Sequence, residues 1–388
     1  MNLGIYIQVP FCRTKCTYCN FHTGVYSKSL YTPYCDSLVS EIRNWKSVYE
    51  AAGLAEATEA AQFVTDTVYI GGGTPSLLDP LELGRMIEAI RESFNCKIAE
   101  ATLEADPETV THAKADACLA AGINRISLGV QSFNDAELAA AGRLHRAADT
   151  VAAANTLRSA GFESISFDLI AGLAYQTSAS WSDSLKQLVN LSPEHVSVYM
   201  LEVDEGSRLG REVLASGARY SASKLPADDQ IADFYELARC ELSRAGYNHY
   251  EISNWAKPGF ESRHNLKYWR RHPYFGFGAG AHSFCSSRRW ANLHDPARYL
   301  AAIQSGASAI DQTEILNSPQ KLDEELFLGL RLNAGIDVPA IEARYNVTLR
   351  DRIAELERRG LLVMQGSNAR LAADRISVSN EVFTELMS

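Results

Sequence analysis

The sequence predicts an α/β fold, a partial (β/α)6 barrel followed by a mostly helical, winged-helix-like C-terminal unit. Three observations predict it. Short β-rich apolar runs alternate with amphipathic helical patterns over the first half of the chain. Glycine or polar residues close one run after another. Near the C-terminus the pattern changes to helices followed by a two-stranded wing. Regular alternation implies parallel strands joined by right-handed crossovers, and chemistry gathered at C-terminal strand ends favours a barrel over an open doubly wound sheet.

The predicted strands are residues 3–9, 67–70, 101–104, 125–128, 164–169 and 195–199, and the helices between them are 34–46, 80–94, 110–121, 147–160 and 181–191. The alanine-rich stretch 136–154 reads as ordinary helix. Residues 205–226, mixing glycines, serines and charges, read as a linker that ends the repeat, and a long helix follows at 228–245. Beyond it a helix at 349–359, a hairpin over 360–364 and 369–371 and a last helix to Met387 suggest the wing. The expected division is a core barrel over 1–240, a ligand-binding segment over 241–300 and a C-terminal domain over 301–388. That last domain is not basic, which favours a scaffold or lid over DNA binding.

Composition narrows the function classes. The 388 residues carry a formal charge of −10, against the basic, clustered footprint of a nucleic-acid binder. No basic segment followed by an apolar one opens the sequence, and no apolar run of membrane-spanning length occurs. Three of the eight cysteines lie close together; Cys35, Cys96, Cys118, Cys240 and Cys285 are scattered. The scatter reads as reduced thiols and the compartment as cytoplasmic.

The close group is Cys12-Arg-Thr-Lys-Cys16-Thr-Tyr-Cys19, directly after the first predicted strand. Three thiolates on one loop can hold three corners of a [4Fe–4S] cube and leave one iron open. A structural zinc site wants four closed ligands, and only His22 is near enough to be a fourth. The second strand runs into Gly71-Gly72-Gly73-Thr74-Pro75, where glycines let a ligand approach the backbone, although a tight turn would use the same residues. Glu104, Gln131 and Asp168 close the third, fourth and fifth strands, and Arg143 follows the fourth. Caps and surface ion pairs explain such residues singly, but not their recurrence at successive strand ends.

These motifs resemble the radical S-adenosylmethionine (SAM) superfamily, and across the whole chain its oxygen-independent coproporphyrinogen oxidase family. The resemblance implies a [4Fe–4S] cluster on Cys12, Cys16 and Cys19, with SAM on its open iron. It further implies that Tyr6 packs by the cluster and that Gly72, Gly73 and Thr74 contact the methionyl end of SAM. Glu104, Gln131, Arg143 and Asp168 would then bind the ribose and carboxylate. Members that decarboxylate coproporphyrinogen carry a further cysteine two places after the third and an N-terminal extension. Here that place is Phe21, and the chain starts just before its first strand. The similarity is therefore to the haem-chaperone branch, HemW, whose HNxxYW motif stands here as His264-Asn265-Leu-Lys-Tyr268-Trp269. An imidazole can ligate haem iron and aromatic rings can cover the macrocycle. The resemblance implies haem, haem-acceptor proteins (membrane respiratory enzymes among them) and an electron donor as partners, with peripheral contact at a membrane. The rival functions are radical decarboxylation of coproporphyrinogen and SAM-dependent C-methylation.

Two local features remain. Phe275-Gly276-Phe-Gly278-Ala-Gly280-Ala-His282 invites a dinucleotide reading, but its glycines follow GxGxG and no βαβ unit follows, so a close-packed strand or loop is expected. Gln8 stands where most relatives carry histidine; an amide can replace one hydrogen bond of an imidazole but cannot titrate near neutral pH.

Overall fold

In the computed structural model, which describes residues 2–59 and 62–387, the alternation folds as six parallel strands, β1 (Asn2–Val9), β2 (Val64–Gly72), β3 (Asn95–Ala105), β4 (Arg125–Gln131), β5 (Ser164–Ala171) and β6 (His195–Met200). They lie side by side in chain order. The strands are covered on both faces, as parallel strands between helices must be: on β1, Leu3, Ile5, Ile7 and Val9 are fully buried on one face, and Gly4 and Gln8 are buried on the other. The register sets Val9 beside Gly72, so the ends of β1 and β2, and of the strands after them, open onto one mouth.

Six further strands extend this sheet. Beyond β6 come β8 (Asn254–Ala256) and β7 (Asn248–Glu251); beyond β1 come β9 (Tyr274–Phe277), β10 (His282–Cys285), β11 (Arg288–Asn292) and β12 (Ile310–Ile315). Only β9 among these is parallel, pairing with β1. These extensions are short and lack a helical repeat, which is why periodicity did not disclose them. Aromatic packing holds β9 in place, with Phe275 5.4 Å from the Trp45 ring and 5.6 Å from Trp290. The glycine-rich run is indeed a close-packed strand and turn: Gly278 has φ +99°, and a Cβ there would stand 2.5 Å from the Gln8 carbonyl oxygen.

Two expectations are corrected. Residues 136–154 are not one helix but the end of Asp135–Ala141 and the start of Ala147–Ala160. Gly142 closes the first at φ +79°, and Arg146 opens the second with its backbone N–H bonded to Asp149 Oδ2, so the residues between can turn inward. The supposed linker 205–226 contains a helix, Arg208–Leu214, and a 3-10 segment, Arg219–Lys224. Ser207 caps that helix by accepting from Gly210 N at 2.8 Å, and Leu209 is buried. The predicted hairpin is present as β14 (Leu362–Gln365) and β15 (Asn368–Leu371), with β13 (Ile336–Asp337) added to make a three-stranded wing among helices. Among the described residues no helix is long and apolar enough to cross a membrane.

One buried carboxylate ties the extension to the barrel. Glu41 accepts from Gly278 N (2.9 Å), Asn292 Nδ2 (2.6 Å) and Tyr299 Oη (2.6 Å). Removing it strands three buried donors, so Glu41→Ala is expected to lower stability by about 3 kcal/mol, read as a lower urea midpoint.

Candidate functional site

The cysteine loop leaves β1 and is fastened at several points. Cys12 N donates to Gly24 O (2.9 Å), Gly24 N to Pro10 O (2.9 Å) and Thr17 N to Ala141 O (3.0 Å). Leu209 N of the uncovered helix donates to Thr17 O (2.8 Å), and Arg208 to Lys15 O. All three thiols are free; Cys12 is buried, while Cys16 and Cys19 are partly exposed. Burial pushes the Cys12 thiol up to about 11, so a bound metal must draw off its proton. Among the described residues no three His, Cys, Asp or Glu side chains converge as ligands of a single ion.

The glycines of β2 run against this loop. Gly73 N donates to Val9 O (2.8 Å) and Thr74 N to Phe11 O (2.7 Å). A Cβ on Gly73 would stand 2.5 Å from the Phe11 carbonyl oxygen and 2.9 Å from Cys12 Sγ. Gly72, at φ +115°, leaves no room for a Cβ beside Gln8, whose Oε1 accepts from Tyr6 Oη (2.7 Å). Gln8 is thus packed into the strand end, and Tyr6 lies stacked 6.0 Å from the Tyr69 ring.

Glu104 is the next strand end. It accepts from Tyr69 Oη (2.9 Å) and Gly72 N (3.0 Å). Burial raises its carboxyl to about 7, with the nearby Asp168 and Asp106 adding to the rise and the two hydrogen bonds opposing it. Asp168 is ringed by hydroxyls: Ser127 at 2.9 Å, Ser197 at 2.7 Å and Ser166 at 3.4 Å. Its carboxyl too is raised by burial, against those donors and the Arg125 cation. Gln131 adopts φ +62° at a break in the β4–β5 register. Arg143, from the gap between the two helices, lies buried against Asp106, Gly129 O (2.9 Å) and Cys16 Sγ (3.6 Å). Thr74 Oγ1 also reaches Asp106, at 3.0 Å. The structure therefore gathers Gly72, Gly73, Thr74, Glu104 and Arg143 beside the cysteine loop. Asp106 and Tyr69 join them; Asp106 stood in the Leu-Glu-Ala-Asp-Pro run two places past Glu104, but nothing in the sequence paired it with Arg143.

The HNxxYW residues stand deeper, on the helix Arg263–Trp269, packed against β2. Glu100 accepts from Arg263 N (2.8 Å) and His264 N (3.0 Å). His264 is fully buried, with Nδ1 on Thr67 Oγ1 (3.0 Å) and Nε2 on Tyr268 Oη (2.9 Å). Burial and the Lys267 and Arg125 cations lower its pKa to about 3, so it is neutral. Asn265 N is capped by Ser262 Oγ (3.3 Å), and Arg331 stacks 4.7 Å over the Trp269 ring. A small cleft is lined by Tyr268, Arg271, Tyr274, Phe284, Arg289, Glu324 and Leu328.

Six parallel strands with three free thiols on the loop after the first, and a glycine strap at the end of the second, define a radical SAM protein. In keeping with this, residues 6–188 match the profile described as "Radical SAM superfamily", and residues 316–373 match "HemN C-terminal domain". The fold is similar to that of the radical SAM enzyme coproporphyrinogen III oxidase (HemN) from Escherichia coli, with a TM-score of 0.83 at 23% identity over 100% of this chain and 90% of that one. "Heme chaperone HemW" of Lactococcus lactis is 33% identical over 98% of this chain and 96% of its own length. The Bacillus subtilis protein of the same name is 32% identical over 97% of each. The chain belongs to the HemW family. Superfamily membership implies a [4Fe–4S] cluster and SAM, and the three free thiols beside a strap with no Cβ suit such a cluster.

Because folding raises the Glu104 pKa, the folded chain holds this proton more tightly than the unfolded one. The stability it brings is present below the ordinary carboxylate range and is lost as pH rises through about 7. In urea unfolding of the metal-free protein, wild type is expected to lose stability relative to Glu104→Gln between about pH 5 and pH 8. A pH-independent difference would contradict it.

Proposed function

We propose that this chain is a haem chaperone of the radical SAM type, binding haem and passing it to acceptor proteins. The observation that carries the reading is likeness over nearly the full length to proteins named haem chaperones, at about a third identity. Cys12, Cys16 and Cys19 would hold the cluster, whose chemistry is one-electron reduction of the bound SAM. The chain's own residues position and enclose. Gly72, Gly73 and Thr74 would take the methionyl end of SAM. Glu104, Gln131, Arg143 and Asp168 would take its ribose and carboxylate, and Tyr6 would pack by the cluster. Glu104 and Asp168 reach such a ligand already ordered by Tyr69, Gly72 N and three serines, so little ordering is left for binding. An electron donor completes the cofactor chemistry. The division into a core over 1–240, a haem segment over 241–300 and a C-terminal domain over 301–388 belongs to the same reading.

For haem we propose the segment His264, Asn265, Tyr268 and Trp269. Tyr268, Tyr274 and Phe284 give the cleft aromatic walls for the macrocycle, and Arg271 and Arg289 lie 5.4 and 5.8 Å over the Phe284 ring. Both guanidinium groups now pair with Glu324, at 3.2 and 2.9 Å, and are suited to propionates. His264 lies behind Tyr268, so its Nε2 reaches iron only after the Tyr268 hydroxyl moves away.

Protein reconstituted anaerobically with iron and sulfide is expected to take up haem saturably and to leave coproporphyrinogen unchanged in the presence of SAM and reductant. Formation of protoporphyrinogen would overturn the reading. His264→Ala, and the milder Tyr268→Phe, are expected to change the haem spectrum and weaken the cleft-bound haem by about tenfold. Unchanged spectra in both would remove His264 from the site.

A further inference from the structure

The C-terminal unit reaches back to the helix that carries HNxxYW. Its helix Ser318–Gly329 packs against Arg263–Trp269, and Glu324 and Leu328 supply one wall of the cleft beside Tyr268. Leu326 of the same helix is buried, and Phe327 meets the Phe383 ring edge-on at 4.9 Å, so the helix belongs to the C-terminal core. Just past it, Arg331 lies 4.7 Å over the Trp269 ring and 5.7 Å over Phe327. Both aromatic residues of the motif are therefore met from the C-terminal side.

The ion pairs at this wall take a particular form. Arg271 Nε donates to Glu324 Oε2 at 3.2 Å, and Arg289 Nη2 lies 2.9 Å from Glu324 Oε1, so each carboxylate oxygen holds a different guanidinium. Glu325 stands 3.7 Å from Arg271 Nη1 and accepts from Tyr345 Oη (2.7 Å), whose oxygen accepts from Arg271 Nη1 (3.3 Å). Arg271 follows the HNxxYW helix at φ +52°, in the left-handed region that a residue with a Cβ rarely adopts. Strain of this kind persists where the surroundings hold it and marks sites of function. The side chains of Arg271 and Glu324 are only 13% and 16% exposed, so salt screens their attraction little. A glutamate side chain ends in the same –CH2CH2COO− group as a haem propionate. Glu324 thus already holds, against both guanidinium groups, the group that haem would bring to them.

We propose that Glu324 is an internal stand-in for a haem propionate, and that haem binds beside Tyr268 by displacing it from Arg271 and Arg289 and releasing the helix Ser318–Gly329 from the cleft. The inference rests on the haem-chaperone reading and adds how that site is closed when empty. One carboxylate replaces another: no covalent bond forms or breaks, the guanidinium groups keep a counter-charge, and Glu324 passes to solvent. A neutral ring cannot restore the ion pairs that opening breaks, so the closed cleft selects for a macrocycle with carboxylates. As haem departs to an acceptor, Glu324 retakes both arginines and closes the site behind it.

The test is titration of the reconstituted full-length protein with haem and with haem dimethyl ester, which lacks the free carboxylates. Wild type is expected to prefer haem, and Glu324→Gln, equal in size, to bind haem about tenfold more tightly than wild type. In the Arg271→Gln/Arg289→Gln background both the preference and the gain from Glu324→Gln should vanish, because both act through those guanidinium groups. A second measurement needs no variant: amide hydrogen exchange within residues 318–329 should rise when haem binds. A purely structural ion pair would lower the urea midpoint of Glu324→Gln and leave haem affinity alone. No gain in Glu324→Gln, the same gain without the arginines, or exchange in 318–329 that haem does not raise overturns the inference while leaving the chaperone reading in place. Wild-type protein that binds no haem overturns both.

Discussion

The close approach of the β2 glycines to the loop after β1 is the constraint on which the mouth of the barrel depends. Gly73 can bond to Val9 O and lie against Cys12 Sγ only because no Cβ stands between them. The strap fixes the loop; the loop, bonded through Thr17 to Ala141 and Leu209, fixes the neighbouring helices in turn. The same strap presents Gly72 N to Glu104, so a buried carboxylate is held at the mouth by a backbone donor and a tyrosine. A side chain at either glycine would separate the thiol loop from the strand ends it must face.

Charge at this mouth is balanced locally. Arg143 sits beside Cys16 and is paired with Asp106, which also accepts from Thr74. Among the described residues no cation directly contacts Glu104 or Asp168, and both accept from neutral donors. Burial pushes both carboxyls upward, and these donors oppose the rise. Deeper in the molecule, Tyr6 and Tyr69 pack between this layer and His264, the Tyr69 ring lying 5.3 Å from the imidazole. Cleft, barrel interior and mouth are therefore connected by contiguous ring contacts and hydrogen bonds.

Much of the site was legible in the sequence because its parts are local. The CxxxCxxC run, the GGGTP strand end and HNxxYW are each contained in a few residues, and the six strand positions follow from alternation alone. The helix break at Gly142 was not legible: alanine on both sides masks a left-handed glycine, and only the break lets Arg143 turn toward Cys16. Strands β7–β12 are short and follow no repeat, so their pairing depends on contacts distant in sequence, such as Glu41 with Gly278 and Asn292.

By itself, then, the sequence determined the six-strand alternation, the three-thiol loop, the strap and the family resemblance, because each depends on neighbours along the chain or on a fixed period. Only the tertiary structure decided which side chains meet. It paired Arg143 with Asp106, occupied both nitrogens of His264, and brought Glu324 to Arg271 and Arg289. The physical reason is that hydrogen bonds and ring contacts form between groups close in space. A sheet that places β9 beside β1, and β10 beside β9, makes neighbours of segments that no local pattern connects.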